Sequence, residues 1–289
     1  MRTRWNWLLI ALMFFAYAAD GQETIPPGTV IPARLNGTLS FHNARPNQNI
    51  SARVMQDVPL PNGLKIREGA RISGHVVEVR PGKQGTNPSI SFTFDHIRVS
   101  KHGIPVPITM NLRALASFTA VEEAGIPLRG MGEGDSWDAR TTVQIGGDTV
   151  YWGGGPVVGS NGIVGKPING SDSNVIADIS AKPGTSCRGA FVGNQGEQAV
   201  WVFSSDACGV YGLSGLRIIH AGRTEPIGLI ELSSGRDGAK IPSGSGMLLR
   251  IIGAGGQPRT VEEIFHSPQK PISFRPLSRF NRMAAPQSS

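Results

Sequence analysis

The amino-acid sequence predicts an all-β protein: an antiparallel barrel or sandwich with a glycine-rich, disulfide-tied β insertion and little helix. Three observations predict this fold class. Apolar and polar residues alternate at strand spacing over much of the chain. Glycine (38) and proline (21) divide the 289 residues into short segments, as in turn-rich β proteins. An Ile-x-x-Gly bend motif precedes three of the predicted strands.

The segment 1–19 has the organisation of a secretory signal peptide. Arg2 and Arg4 give a basic start, residues 8–19 are almost wholly apolar, and Ala-Tyr-Ala at 16–18 fits a cleavage site. The apolar run is shorter than the roughly 20 residues of a membrane-spanning helix. We expect cleavage and export to the periplasm, the outer-envelope surface or the extracellular space, with an uncleaved anchor as the alternative.

Residues 24–115 are predicted to form the first portion of the barrel or sandwich. The bend motif occurs at residues 25–28, 66–69 and 241–244, each time before residues that alternate at strand spacing. The glycine of each motif is expected to allow a tight bend. Because the third copy matches the first two, residues 236–256 are predicted to return and complete the first sheet.

Residues 116–235 form the predicted insertion, which contains both cysteines of the chain, Cys187 and Cys208. In an exported protein an isolated pair predicts a disulfide. Closing a loop of about 22 residues would stabilise the fold by about 3 kcal/mol. A redox pair is the alternative, but the C-x-x-C spacing that lowers a thiol pKa is absent.

Two aromatic residues in the insertion, Tyr151 and Trp152, precede three glycines at 153–155. The glycines either expose these rings to a ligand or mark bends in a twisted strand. One short helix is predicted over 114–124. The basic, proline-containing residues 257–289 are expected to be disordered, and attraction to anionic lipid or polysaccharide is the functional alternative for this tail.

No catalytic residue, metal ligand or cofactor site is predicted. None of the six histidines has the helical pairing of a zinc protease, although His75 and His96 lie in strand patterns and could share a barrel. Asp135 and Asp138 could be the paired acids of a glycan hydrolase or ordinary turn carboxylates. The serine motif at 243–246 lacks the leading glycine of a nucleophile elbow.

Charge patterning bears on the expected partners. The formal net charge is +7, but no basic helix or aromatic-basic ribbon is visible, so nucleic acid is not an expected partner. The sequence favours a binding or structural module whose partner is an envelope protein or glycan, with peripheral membrane contact a further expectation. A subunit of a secretion or conjugation channel is one alternative, and an envelope glycan hydrolase is the other.

The repeated bends carry a family resemblance. Residues 25–35 and 66–76, the span between them with Val54-x-x-Asp57-Val58, and residues 241–252 resemble the C-terminal β-barrel domain of the TrbI-like family. These proteins are bacterial type IV secretion and conjugal-transfer channel components, so the resemblance implies a related barrel in a bacterial envelope. It covers less than half of the chain.

The sequence also departs from the family pattern. The family has an inner-membrane anchor, a long proline-rich linker and a hydrophobic helical hairpin that crosses the outer membrane. This chain has a predicted signal peptide, no such linker and only the short 114–124 stretch in place of the hairpin. The resemblance therefore supports a related barrel in a bacterial envelope, does not establish transport and carries over no catalytic residue.

Overall fold

The computed structural model describes residues 25–60, 64–83, 85–99, 103–125, 128–129, 140–147, 149–153, 155–159, 162–167, 175–178, 197–199, 202–204, 207–236 and 238–254. The chain divides into two compact units, Met1–Pro258 and Arg259–Ser289, and all described residues belong to the first. The predicted signal peptide, the predicted tail and Cys187 lie outside the described residues.

The described elements are twenty strands and one helix. The helix is α1, Phe118–Gly125. The strands are β1 Val30–Leu35, β2 Leu39–Ser40, β3 Asn49–Val54, β4 Val58–Pro59, β5 Lys65–Ile66, β6 Arg71–Arg80, β7 Ser89–Arg98, β8 Val106–Ala116, β9 Leu128–Arg129, β10 Arg140–Val143, β11 Thr149–Trp152, β12 Val157–Gly159, β13 Gly162–Pro167, β14 Val175–Asp178, β15 Glu197–Ala199, β16 Gly209–Tyr211, β17 Leu216–Ala221, β18 Ile230–Ser234, β19 Lys240–Ile241 and β20 Gly246–Ala254.

Six antiparallel strands form a closed barrel in the order β8, β20, β1, β3, β6 and β7, and β7 pairs back with β8. Alternate residues of each strand face the interior, because side chains alternate across a strand. In β1 these are Ile31, Ala33 and Leu35, which are 0%, 0% and 4% exposed. In β7, Phe92 and Phe94 meet edge to face, with ring centroids 5.7 Å apart. The all-β fold predicted from the sequence is therefore confirmed, and of the two predicted forms, barrel or sandwich, the structure has the barrel.

The three bend motifs form three similar turns. Gly28, Gly69 and Gly244 have φ of 91°, 78° and 85°, in the left-handed region that glycine adopts without strain. In each turn the residue after the glycine donates its N–H to the carbonyl three residues earlier, as in a type II turn. Each glycine N–H also donates at 2.8 Å to a carbonyl of the strand that pairs with the following strand. The turns thereby fix where β1, β6 and β20 begin.

The seam between β7 and β8 is closed at one end by pairing of Ile97 with Val106. At the other end β7 pairs with β18, which pairs with β17, and β8 pairs in parallel with β16. These three added strands come from the region that the sequence assigned to the insertion. They join the barrel because β18 places Ile230 and Leu232, both fully buried, in the barrel core.

A second sheet of seven strands runs in the order β15, β14, β13, β12, β11, β10 and β9, with all pairings antiparallel. A second core joins this sheet to the outer surface of the barrel. It contains Val150, Trp152 and Val157 from the sheet, and Ala114 and Leu248 from barrel strands. The described part of the chain has no helix long and apolar enough to cross a membrane.

Helix α1 begins four residues later than the sequence predicted. Residues 114–116 are the end of β8, where they pair with both β20 and β16. Ser117 then caps the helix, because its Oγ accepts the N–H of Ala120 at 3.1 Å. On the inner side of the helix, Val121 and Ala124 are 0% and 3% exposed and pack in the second core.

Candidate functional site

Four arginines lie in one row across the outside of the barrel. Arg34 of β1 is directly opposite Arg53 of β3, Arg53 is opposite Arg71 of β6, and Arg71 is opposite Arg98 of β7. Their outward direction follows from the neighbouring row, in which every residue is buried at 4% exposure or less: Leu35, Ala52, Ile72 and Ile97. A shift of one residue would bury the arginines, so the core fixes the row.

Among the described residues, the first arginine of the row has an ionic partner and the other three have none. Arg34 donates from Nη1 to Oε1 of Glu122 in α1 at 2.5 Å. Arg53, Arg71 and Arg98 are exposed and make no side-chain hydrogen bond or ion pair within the described residues. Like charges directly opposite one another destabilise a sheet. The row thus presents unneutralised positive charge at some cost to the fold.

The nearby carboxylate on β7 does not neutralise the row. Asp95 lies within hydrogen-bonding distance of two histidines, 3.0 Å from Nδ1 of His75 and 2.5 Å from Nδ1 of His96. Both of its oxygens are therefore engaged by imidazole rather than by Arg98. The described residues contain no group of three or more histidine, cysteine, aspartate or glutamate side chains arranged to hold a metal.

A cleft of about 850 Å³ adjoins the paired end of the row. Arg34 and Arg53 line it, together with the second and third bend turns, the end of β3, the end of α1 and part of the insertion. Glu68 and Gly69 come from one turn, and Ser243 and Gly244 come from the other, so two turns that resemble each other in sequence both line the cleft.

The turn that carries Glu68 is held by a second charged pair. Asp57 accepts hydrogen bonds from Lys65 and, at 2.9 Å, from the backbone N–H of Glu68. Burial alone would raise the pKa of Asp57. The Lys65 and Glu68 hydrogen bonds and the charges of Lys65 and Arg67 outweigh burial and hold that pKa below 3.8. The ionised carboxylate thereby fixes one wall of the cleft.

The two aromatic residues selected from the sequence lie on opposite faces of the second sheet. Trp152 is 7% exposed and packs in the second core, so it presents little surface to a ligand. Tyr151 is half-buried on the other face, with its ring beside Gly153. It lies in a lateral row with Val158 and Ile163, which are 37% and 73% exposed. A ligand-facing role for Tyr151 stays a prediction.

Other sequence candidates are separated from the cleft or fall outside the described residues. Cys208 is 8% exposed, and its partner in the predicted disulfide, Cys187, is outside the described residues, so the bond stays a prediction. Asp135 and Asp138 are also outside them.

The serine-rich turn has structural hydrogen bonds. Ser243 Oγ donates to the carbonyl of Asn36 at 2.9 Å, and Ser245 is fully buried. Within the described part of the chain neither hydroxyl hydrogen-bonds a histidine. The turn therefore serves as the start of β20 and lacks the geometry of an activated nucleophile.

Sequence reasoning missed the arginine row. Each of the four arginines occupies an outward position of a strand in which apolar and polar residues alternate, and this alternation is visible in the sequence. Their alignment depends on strand order and register, which bring together residues that are far apart in the sequence.

The fold and the site define a β-barrel protein with a row of arginines on its outer surface. No protein-family model matches the chain, and no curated protein matches its sequence. Among solved structures, the chain is similar to ComB10 of the Com type IV secretion system of Helicobacter pylori. The identity is 23%, the TM-score is 0.23, and the match covers 30% of this chain and 44% of that chain.

The chain thus spans less than half of the solved structure that it matches. The match agrees with the weak, partial resemblance to TrbI-like proteins noted from the bend motifs. A similarity of this extent does not define what the protein does.

Proposed function

We propose that this chain is an exported, non-catalytic binding module of the bacterial envelope that holds an anionic partner on the arginine row and the adjoining cleft. The observation that supports it is the set of three exposed arginines on adjacent strands, Arg53, Arg71 and Arg98, without carboxylate partners among the described residues. Guanidinium groups bind carboxylates and phosphates through paired hydrogen bonds. Arg34, held by Glu122, is an internal example of this pairing.

A binding role suits the polar groups around the cleft better than catalysis does. Ser243 is engaged with backbone carbonyls, and Arg34 and Glu122 neutralise each other. General acid–base catalysis needs a titratable group within reach of the proton that it moves. Glu68 is the single carboxylate among the described residues that line the cleft, and no second acid or base lines it to share a proton transfer. Arg53 offers a cation that can hold an anion in place, which is the requirement of recognition.

Export is part of the same proposal, because an envelope partner requires it. Non-reducing mass spectrometry of the protein recovered from the cell envelope tests this part. We expect a mass that lacks the segment 1–19 and is lower by two hydrogens, as a bond between Cys187 and Cys208 requires. The full-length mass in the cytosol, with both thiols free, would contradict export and the disulfide together.

The binding proposal is tested by titrating the mature protein with anionic probes: polyglutamate, polygalacturonate and phosphatidylglycerol vesicles. We expect at least one to bind, with affinity that falls as salt is added, and expect Arg53→Ser to weaken it. Arg217→Ser is the matched control, because Arg217 is an exposed strand arginine opposite Ser233 and outside the row.

Two outcomes would contradict the binding proposal. One is that no anionic probe binds, and the other is that Arg217→Ser weakens binding as much as Arg53→Ser does. A large ring on native gels without anion binding would favour the alternative, a channel subunit.

A further inference from the structure

We infer that the arginine row is the docking surface for an acidic, extended polypeptide segment that crosses the barrel strands at right angles. This inference rests on the proposed function and names the class of partner. The docking surface consists of Arg53, Arg71 and Arg98, with Arg34 at the end that α1 covers.

The curvature of the surface favours a flexible chain over a flat partner. The row crosses four of the six strands of a closed barrel, so its members point outward in progressively different directions. A flat bilayer surface would contact only some of these arginines at once. A single extended chain can follow the whole row, with one anionic group on each arginine.

The spacing of the arginines suits alternate side chains of an extended polypeptide. Neighbouring strands are roughly 4.8 Å apart, and arginine side chains diverge further as they extend from a convex barrel. Alternate residues of an extended chain are roughly 6.6 Å apart and point to the same side. Acidic residues at every second position would therefore match successive guanidinium groups.

A second row supplies hydrogen-bonding groups beside the arginines. Ser51 is opposite Ser73, Ser73 is opposite His96, and Asn36 Nδ2 donates to Ser51 Oγ at 2.9 Å. These four side chains are exposed or half-buried. They lie two residues along each strand from the arginines, and hydroxyl and amide groups can bond the peptide groups of a chain lying between the rows.

The same surface offers little to single-stranded nucleic acid, whose bases bind by stacking on aromatic side chains. His96 carries the single aromatic ring of the two rows, and its Nδ1 is engaged by Asp95, so the rows do not supply a series of rings for successive bases. A carboxylate-bearing chain needs no such platform, and Glu122 on Arg34 shows a carboxylate bound to this row.

The experiment measures by isothermal titration calorimetry how tightly the mature protein binds each of two acidic peptides of identical composition. In one peptide glutamate and threonine alternate, and in the other the same residues form two blocks. We expect the alternating peptide to bind more tightly, and Arg71→Thr and Arg98→Thr each to weaken it about threefold or more. Arg217→Thr is the control and is expected to leave binding unchanged.

Three results would overturn the inference. Equal binding of the two peptides would remove the spacing argument. Loss of binding with Arg53→Ser but not with Arg71→Thr or Arg98→Thr would confine recognition to the cleft; the proposed function would then stand without the row. Tighter binding of polygalacturonate, phosphatidylglycerol vesicles or a single-stranded oligonucleotide through the same arginines would replace the polypeptide with another polyanion.

Discussion

Replacing Arg71 by threonine is expected to stabilise the folded protein while it weakens binding. Arg71 belongs to two like-charge pairs, because it lies opposite Arg53 on one neighbouring strand and opposite Arg98 on the other. Favourable cross-strand pairs contribute roughly 0.2–1 kcal/mol each, and like charges directly opposite are destabilising. With a cost of similar size for each like-charge pair, removing two pairs should gain about 1 kcal/mol. Threonine also suits an exposed strand position.

Thermal unfolding followed by circular dichroism measures this effect. For a chain of this size about 1 kcal/mol corresponds to a rise of roughly 2–4 °C in the unfolding midpoint. The gain should shrink in 1 M salt, where the screening length falls to about 3 Å. Because the variant is expected to be more stable, a loss of binding by Arg71→Thr would not be explained by unfolding.

Arg217→Thr is the control for the general effect of removing a strand arginine, since Arg217 is opposite Ser233. It should change the midpoint less than Arg71→Thr does, with little dependence on salt. The reasoning is refuted if Arg71→Thr lowers the midpoint at low salt, or if both variants raise it equally.

Three further substitutions test the fold and the walls of the cleft. Gly74→Ala would place a Cβ 1.8 Å from the backbone carbonyl oxygen of Thr93, so we expect a loss of about 3 kcal/mol or more in urea unfolding; a loss under about 0.5 kcal/mol would contradict the register of β6 and β7. Ser117→Ala removes the cap of α1 and should cost about 1 kcal/mol; an unchanged unfolding curve would argue against the cap. Asp57→Asn should destabilise the protein at pH 7, because Lys65 and its neighbours hold the pKa of Asp57 below 3.8 in the folded state. The stabilisation by the ionised carboxylate is present above that value and is lost as the pH falls through the lower folded-state pKa. A difference in stability between the variant and the native protein that persists undiminished at acid pH would contradict the assignment.

The barrel could be predicted from sequence because its determinants are local. The alternation of Ile31, Ala33 and Leu35 marks an inward face within a single strand, and Gly69 or Gly244 marks a turn within four residues. These signals need no knowledge of the neighbouring strand. They are sufficient for the class of fold and for the starts of three strands.

The remaining features depend on contacts between distant segments. Residues 114–116 have a helical composition, but pairing with β16 and β20 makes them strand. The hairpin of β17 and β18 joins the barrel because Ile230 and Leu232 fill its core, although β18 and its partner β7 lie far apart in the sequence. The arginine row exists only through the register of four strands, so no single segment predicts it.

A charge-exchange experiment tests the central claim, that the row recognises acidic residues through its charge. The double variant Arg71→Glu/Arg98→Glu and the native protein are each titrated with the alternating glutamate–threonine peptide and with its lysine–threonine counterpart. The account predicts that the native protein prefers the acidic peptide and that the variant loses this preference in favour of the basic one. A variant that remains folded and still prefers the acidic peptide would contradict the account.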